Sequence, residues 1–234
     1  MDLELRNIVN EYLSDFKRKK SLSSVVENSI PIVWFGDMEA YKNSELKVVT
    51  VGLNPSLHEF PTNGMPRFDL SADNANALYE TLNDYYKHNP YNKWFVQFEK
   101  CLNRIDASYG GKMSCDGFSN TAIHIDVYSS IATDPTWGRL PEYSKSQVMQ
   151  RNLFEEFLEY LKPDVILMSV AHDCFEDAMH ISNPRIIYYK RRKVEIYREN
   201  DRIMVYGLNK RGTPFGGITN EVLDEAFAKL RSVL

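Results

Sequence analysis

The 234-residue sequence has little of what several protein classes require. Its three cysteines, Cys101, Cys115 and Cys174, form no C-x-x-C pair, which argues against a disulfide framework or a cysteine-rich metal site and predicts buried free thiols. Its apolar runs are no longer than a strand, so no membrane contact is expected. The first residues, MDLELRNIVN, are acidic and apolar instead of basic, which predicts no signal peptide and a cytoplasmic location.

Motifs of several enzyme classes are also missing. The sequence has no G-x-x-x-x-G-K-[ST] phosphate loop, no G-x-G-x-x-G after a strand and no G-x-S-x-G elbow. The five histidines are scattered and lack H-E-x-x-H spacing, so neither a metal nor another cofactor is expected. Ser169 and His172 could form a nucleophile and base, but the start of a helix explains both residues.

The charge balance is mildly acidic. A net charge of −4 and a pI near 5.8 argue against a protein that coats nucleic acid non-specifically. Basic residues cluster at 17–20, 190–193 and 210–211. Each cluster is interpreted first as a solvated face and only second as a binding surface.

Strands and helices are predicted to alternate along the chain. Apolar and β-branched runs predict core strands at 48–51, 165–170 and 203–208, and 121–127 is a further strand candidate. Residues 186–189 and 194–197 predict a hairpin or edge pair around KRRK. Helical spacing predicts helices at 1–20, 74–86, 94–105 and 171–179, one capped by Ser144 that ends at Pro163, and one capped by Thr219. These elements predict an α/β protein, a three-layer α/β/α fold around a mostly parallel four-stranded sheet. One domain should span residues 1–234, with an N-terminal helical segment at about 1–45.

The most informative stretch is GLNPS, residues 52–56, which we call the first segment. Gly52 ends an apolar strand and Pro55 directs the chain out of the sheet. Asn54 is thereby placed at the carboxyl edge, where open α/β sheets bind ligands. The alternative is an ordinary strand exit with Asn54 as a turn residue.

Two more polar segments leave predicted strands: HIDVYSS at 124–130, the second segment, and LNKRGTPFGG at 208–217, the third segment. Together the three segments resemble the uracil-DNA glycosylase superfamily, whose first motif reads G-[IM]-N-P-G or G-Q-D-P-Y. GLNPS is most similar to the mismatch-specific and single-strand-selective branches, in which asparagine replaces aspartate. The resemblance extends from about Val48 to Leu234.

The resemblance implies that Asn54 positions a water molecule for attack on an oxocarbenium-like sugar. Gly52, Leu53, Pro55 and Ser56 would then line the substrate site. Phe68, in the loop after the first segment, is the leading candidate to stack on a flipped base, and Phe60 is the rival. Either phenylalanine could instead anchor the loop in the core.

The second segment departs from its relatives, which commonly carry an asparagine late in the strand to pair with uracil. Here the best-placed polar residues are His124 and Asp126. An ionised aspartate only accepts hydrogen bonds, so it favours an amino-bearing or modified base over uracil. Asp126 could instead cap a loop or pair with Arg139 or His124.

The third segment lacks the histidine of the H-P-S-P motif in its relatives, and Asn209 is the best match to that catalytic position. Lys210 and Arg211 could bind phosphate or balance charge on the leaving base. Four further residues, Gly212, Thr213, Gly216 and Gly217, would contact the DNA backbone. The alternative is an ordinary glycine-rich surface loop.

These observations lead us to expect a monomeric DNA glycosylase that needs no metal or redox cofactor and acts in repair or in defence against modified foreign DNA. One alternative is a catalytically weak or inert member of the same fold that binds DNA or protein. Another is an α/β enzyme acting on small nucleotides.

Overall fold

The computed structural model describes residues 1–113 and 117–234, and Cys115 lies outside them. The strands are β1 (Val48–Gly52), β2 (Ala107–Ser108), β3 (Asn120–Thr121), β4 (Ile123–Asp126), β5 (Val165–Met168), β6 (Arg185–Lys190), β7 (Val194–Glu199) and β8 (Arg202–Gly207). The α-helices are α1 (Leu3–Lys19), α2 (Met38–Asn43), α3 (Ala75–Asn83), α4 (Asn92–Leu102), α5 (Glu142–Val148), α6 (Arg151–Leu161), α7 (His172–Met179) and α8 (Asn220–Arg231). The predicted α/β class is confirmed.

Six strands form one sheet in the order β4–β1–β5–β8–β7–β6. The strands β1, β5 and β8 pair in parallel, with Val165 opposite both Val48 and Ile203. The strand β7 is antiparallel to both β8 and β6. The prediction of four strands is therefore wrong, because the predicted hairpin joins the main sheet. It does so because β7 buries Val194 and Ile196 and pairs with β8 along its whole length.

The central strands follow from their composition. Every residue of β1 and of β5 is buried, as is typical of parallel strands without a solvent-facing side. Thr50 is the one polar side chain in β1, and its hydroxyl lies 2.5 Å from the hydroxyl of Tyr109. Gly52 ends β1, so the first segment begins at the strand terminus, as predicted.

The described chain divides into two compact units, the first made of Met1–Asp37, Gly52–Tyr91 and His124–Lys162. In this unit α1 packs against α3 and α6. The ring of Phe157 in α6 lies 6.4 Å from Tyr12 and 5.9 Å from Trp34. The apolar face of α1 therefore lies against an aromatic core, which accounts for the helical spacing of its sequence.

The second unit is made of Met38–Val51, Asn92–Ile123 and Pro163–Leu234. Here α8 packs against β6 and β7, and α7 contacts β8. Phe175 of α7 lies 5.3 Å from the ring of Tyr206 in β8. The predicted helical segment at 1–45 thus contributes α1 to the first unit and α2 to the second.

The predicted helix from Ser144 to Pro163 is wrong in its boundaries. The chain forms two helices there, α5 and α6, which are separated at Met149 and Gln150, and Ser144 lies inside α5. The Gln150 side chain accepts a hydrogen bond from Ser130 N–H at 2.7 Å and donates one to Asp15 at 2.8 Å. These tertiary hydrogen bonds stabilise the break, and nothing in local spacing encodes them.

Burial of the cysteines follows the prediction only in part. Cys101 is buried and free, but Cys174 is half-buried because the inward face of α7 is formed by Phe175 and Ala178. Within the described ranges, no helix combines the length and the apolar character needed to cross a bilayer.

Candidate functional site

The first and second segments run side by side in the first unit. Val127 N–H donates to the carbonyl of Gly52 at 3.0 Å, and Tyr128 N–H donates to that of Leu53 at 2.9 Å. These bonds continue the strand pairing beyond β1 and β4. The structure therefore brings together two segments that the sequence placed about 70 residues apart.

The amide of Asn54 is fixed in one orientation. Its nitrogen donates to the hydroxyl of Thr133 at 2.9 Å and to the carbonyl of Ile131 at 3.3 Å. Its oxygen accepts no hydrogen bond from any described residue, and the side chain is only half-buried. An amide held by its nitrogen presents an oriented acceptor, which is the group that a positioned water needs.

The other residues of the first segment have structural contacts. The side chain of Leu53 packs against a buried apolar cluster that includes Trp137. The carbonyl of Pro55 accepts from Thr133 N–H at 3.2 Å, and the Ser56 hydroxyl caps the short 3₁₀ helix that follows. These contacts fix the backbone on both sides of Asn54.

The side chains of His124 and Asp126 are almost completely buried, with exposed fractions of 2% and 4%. His124 Nε2 lies 3.6 Å from Asp126 Oδ1, so the two side chains are neighbours, as the predicted alternative of pairing with His124 requires. Asp126 accepts no hydrogen bond from the described residues, which leaves a buried carboxylate with acceptor capacity. A Cβ at Gly52 would clash with Asp126 Oδ1 and lie 3.0 Å from His124 Nε2. Only glycine at this strand end lets the two side chains approach so closely.

Phe68 and Phe60 both lie in a buried aromatic cluster, which we define as Phe35, Phe60, Phe68 and Tyr85. The Phe68 ring stacks on Tyr85 at 5.1 Å and lies 5.6 Å from Phe60. Phe68 is only 4% exposed, so a base could stack on it only after a neighbouring ring moved. In this structure Phe68 anchors its loop in the core, which is the alternative that the sequence left open.

Glu59 is a buried carboxyl group beside this aromatic cluster that the sequence did not indicate. Tyr85 donates its hydroxyl to Glu59 Oε2 at 2.6 Å, and Arg67 Nε lies 3.9 Å from the same oxygen. Burial raises the pKa of Glu59 to about 7, and the charge of Asp126 acts in the same direction, against the lowering effects of Tyr85 and Arg67. Perturbed carboxyl groups of this kind are enriched at functional sites. No sequence pattern marked Glu59, because its environment comes from residues distant in the chain.

The third segment lies in the second unit, and Asn209 holds it in shape. The Asn209 nitrogen donates to the carbonyl of Ser169 at 2.9 Å, and its oxygen accepts from Gly212 N–H at 3.0 Å. Both ends of the amide are therefore used inside the protein. In this structure Asn209 positions the loop, and the predicted contact with a leaving base stays a prediction.

The remaining predicted residues of the third segment form a tight turn and its exit. Lys210 and Thr213 exchange two backbone hydrogen bonds of 3.1 Å, which leaves Lys210 and Arg211 exposed at the tip. Gly212 and Gly217 have positive φ values of 76° and 74°, a conformation that favours glycine. A Cβ at Gly216 would lie 2.7 Å from the carbonyl oxygen of Thr213.

Phe215 anchors the third segment and was not singled out from the sequence. Its N–H donates to the hydroxyl of Ser169 at 2.9 Å, and its ring lies 5.7 Å from Phe98. The ring also covers Gly207, where a Cβ would lie 2.6 Å from Phe215 Cζ. The loop is thus exposed at its basic tip and buried at its base.

Ser169 and His172 have structural partners that explain them. Ser169 is fully buried beneath Phe215, and His172 Nε2 lies 2.9 Å from Glu195 Oε2. His172, Asp173 and Glu176 place one potential ligand atom each within 4.8 Å of one another, so this group could hold a metal ion. Asp173 and Glu176 are exposed, and such groups also occur without metal.

No family model matches the chain, and a sequence search finds no similar curated protein. The resemblance to the uracil-DNA glycosylase superfamily therefore rests on the residues of the three segments. It stays a prediction.

Proposed function

We propose that this protein is a DNA glycosylase that hydrolyses the N-glycosidic bond of a flipped nucleotide. The observation that carries the proposal is the orientation of Asn54, whose nitrogen is held by Thr133 and Ile131 and whose oxygen has no partner among the described residues. The cationic sugar of this reaction is reactive, so its water needs placement more than deprotonation. Orientation alone supplies up to about 7–11 kcal/mol in favourable cases.

The proposed substrate carries an amino group or another modification on the base. The buried Asp126 carboxylate supports this choice, because it accepts no hydrogen bond from the described residues and would accept one from an exocyclic amine once the residues that cover it have moved. Uracil presents a carbonyl oxygen at the corresponding edge, which an ionised carboxylate would repel. His124 would hold Asp126 in place during recognition.

The proposal assigns phosphate contacts to the third segment. Lys210 and Arg211 are exposed at the tip of a turn that is held by Asn209 and Phe215, which favours contact with a polyanion. The proposal includes a monomeric protein with a three-layer arrangement, a cytoplasmic location and chemistry without a metal or redox cofactor.

One observation favours a second candidate function, a binding member of the same fold that excises bases slowly or not at all. Both ends of the Asn209 amide are occupied, and the third segment contains no histidine. Asn209, the match to the catalytic position, is then not free to stabilise a departing base, so catalysis would depend on the first and second segments.

The two candidates separate in single-turnover assays on oligonucleotides that carry uracil, cytosine and bulky or amino-bearing modified pyrimidines. A glycosylase releases free base, whereas a binding module retards the DNA and releases none. We expect Asn54→Ala to slow base release at least about 100-fold while DNA affinity stays near that of the wild type.

The matched control is Asn7→Ala, which removes an exposed amide from the middle of α1 and should leave release unchanged. Full activity in Asn54→Ala would remove this residue from the mechanism. Absence of free base from every substrate with the wild-type protein would favour the binding function.

A further inference from the structure

The turn that joins β6 to β7 is short and basic. Arg191, Arg192 and Lys193 connect the two strands, and Lys193 N–H donates to the carbonyl of Lys190 at 2.8 Å. Arg192 adopts a left-handed conformation with φ of 53°. Its N–H donates to Glu195 Oε1 at 2.6 Å, so a buried carboxylate holds the centre of the turn.

Glu195 makes this turn rigid. It is 1% exposed, and it accepts hydrogen bonds from Tyr197 and from His172 as well as from the Arg192 N–H. The turn is therefore tied to a buried carboxyl group, and its basic side chains extend from a backbone held by that hydrogen bond.

The strand register places this turn beside the third segment. Because β7 is antiparallel to β8, Val194 at the start of β7 lies opposite Gly207 at the end of β8. Leu208 N–H, the first of the third segment, donates to the carbonyl of Lys193 at 2.8 Å. Two basic loops that are separated in the sequence thus leave the same edge of the sheet, within the second unit.

The cations of the two loops are exposed. They are Lys190, Arg191, Arg192, Lys193, Lys210 and Arg211. None of these six side chains forms an ion pair with a residue that the structure describes. The helix α7 contacts the same buried Glu195 through His172. This helix also carries two acidic residues, Asp173 and Glu176, near the start of the helix. A net charge of −4 for the whole chain makes this concentration of positive charge a local feature of the surface.

We propose that the β6–β7 turn and the tip of the third segment form one surface that binds the phosphates of duplex DNA. The turn thereby adds a second site of backbone binding to the one proposed for Lys210 and Arg211. The choice of DNA as the polyanion rests on the proposed function. The rigid turn reduces the conformational entropy cost of binding, and arginine contributes bidentate hydrogen bonds to phosphate.

Fluorescence anisotropy with a labelled duplex of arbitrary sequence tests this surface at salt concentrations from about 50 to 200 mM. The test variant is Arg191→Gln/Arg192→Gln/Lys193→Gln. The matched control, Lys20→Gln/Lys93→Gln/Lys162→Gln, removes the same charge from exposed positions outside both loops. A second variant, Arg191→Gln/Lys193→Gln, leaves the residue in the left-handed conformation, Arg192, unchanged, and circular dichroism checks folding in each case.

We expect the triple turn variant to bind at least about tenfold more weakly than the control at low salt. Its plot of log affinity against log salt should be less steep by about 0.9 for each phosphate that the variant no longer neutralises. Equal weakening in the turn variant and the control would overturn the proposal, as would wild-type affinity that does not depend on salt.

Base release is measured on the same proteins to separate this proposal from the proposed function. Weakened binding by the turn variant without base release by the wild type would support the surface and contradict the glycosylase. Base release with unchanged binding by the turn variant would do the reverse.

Discussion

The first unit buries carboxyl groups at and near the first and second segments, whereas the third segment and the β6–β7 turn expose their cations. Asp126 and Glu59 are removed from water, and the side-chain oxygen of Asn54, which has no partner among the described residues, belongs to the same unit. Lys210 and Arg211 remain hydrated on a loop anchored by buried residues. Buried groups interact strongly and tolerate little change, while hydrated cations act at longer range and are individually replaceable. The difference favours chemistry in the first region and backbone binding in the second.

Among the variants that test this comparison, Glu59→Gln is expected to change the unfolding free energy the most. The pKa of Glu59 is raised from 4.5 to about 7, so the folded protein binds this proton more tightly than the unfolded chain. The resulting stabilisation is complete below about pH 4.5 and is lost as the pH rises through about 7. Relative to Glu59→Gln, the wild type should lose up to about 3 kcal/mol of unfolding free energy over that interval.

Urea unfolding from pH 4 to pH 9 measures this difference. Glu27→Gln, at an exposed position, is the matched control and should follow the wild-type profile. Parallel profiles for the wild type and Glu59→Gln would mean that Glu59 is not a perturbed buried acid.

Gly52→Ala should have the next largest effect. The new methyl group would displace Asp126 and His124 from the end of β1, at a cost of about 1–3 kcal/mol in unfolding free energy. Gly138→Ala is the control, because a Cβ there meets no atom within 4 Å. Equal stability of the two variants in thermal unfolding would show that the site accommodates the methyl group.

Thr133→Val should affect the rate more than the stability. It removes one of the two acceptors that orient the Asn54 amide, which costs about 1 kcal/mol. We expect about a tenfold slower single-turnover release with little change in DNA affinity. Thr133→Ser restores the hydroxyl and should restore the rate; a Ser variant as slow as the Val variant would attribute the defect to packing.

The smallest effect is expected from Asn209→Ala. Removal of its two hydrogen bonds should cost about 1 kcal/mol and loosen the third segment without unfolding the protein. Cleavage by trypsin at Arg211 should become faster, with Asn7→Ala as the control. If the rate of base release falls far more than the loss of stability explains, Asn209 acts directly on the leaving base. The third segment would then take part in the chemistry as well as in backbone binding.

The longer strands and most helices could be predicted from the sequence because their signals are local, whereas the two-residue strand β2 was not predicted. The runs at 48–51, 165–170 and 203–208 became β1, β5 and β8 with small shifts at their ends. The break between α5 and α6 and the six-stranded sheet could not be predicted, since Gln150 and β7 depend on distant partners. Local periodicity does not report such partners.

The structure brings the first and second segments together, but the contacts of their side chains could not be predicted from the sequence. Asn54 lies at a strand end next to the second segment, as expected, but the orientation of its amide comes from Thr133, 79 residues away. Phe68 was predicted either to stack on a flipped base or to anchor its loop in the core, and it is buried among other rings. Glu59 could not be singled out from the sequence, because the pKa of a carboxyl group rises in this way only when its surroundings in the fold exclude water.

The sequence by itself determined where apolar runs stop and polar loops begin, because the hydrophobic effect acts on composition along the chain. It also determined which residue types stand at the strand ends. The tertiary structure alone decided which of those side chains are buried, which hydrogen bonds they make and which loops share an edge. Burial and hydrogen bonding depend on distances between residues far apart in the chain, and those distances exist only in the folded protein.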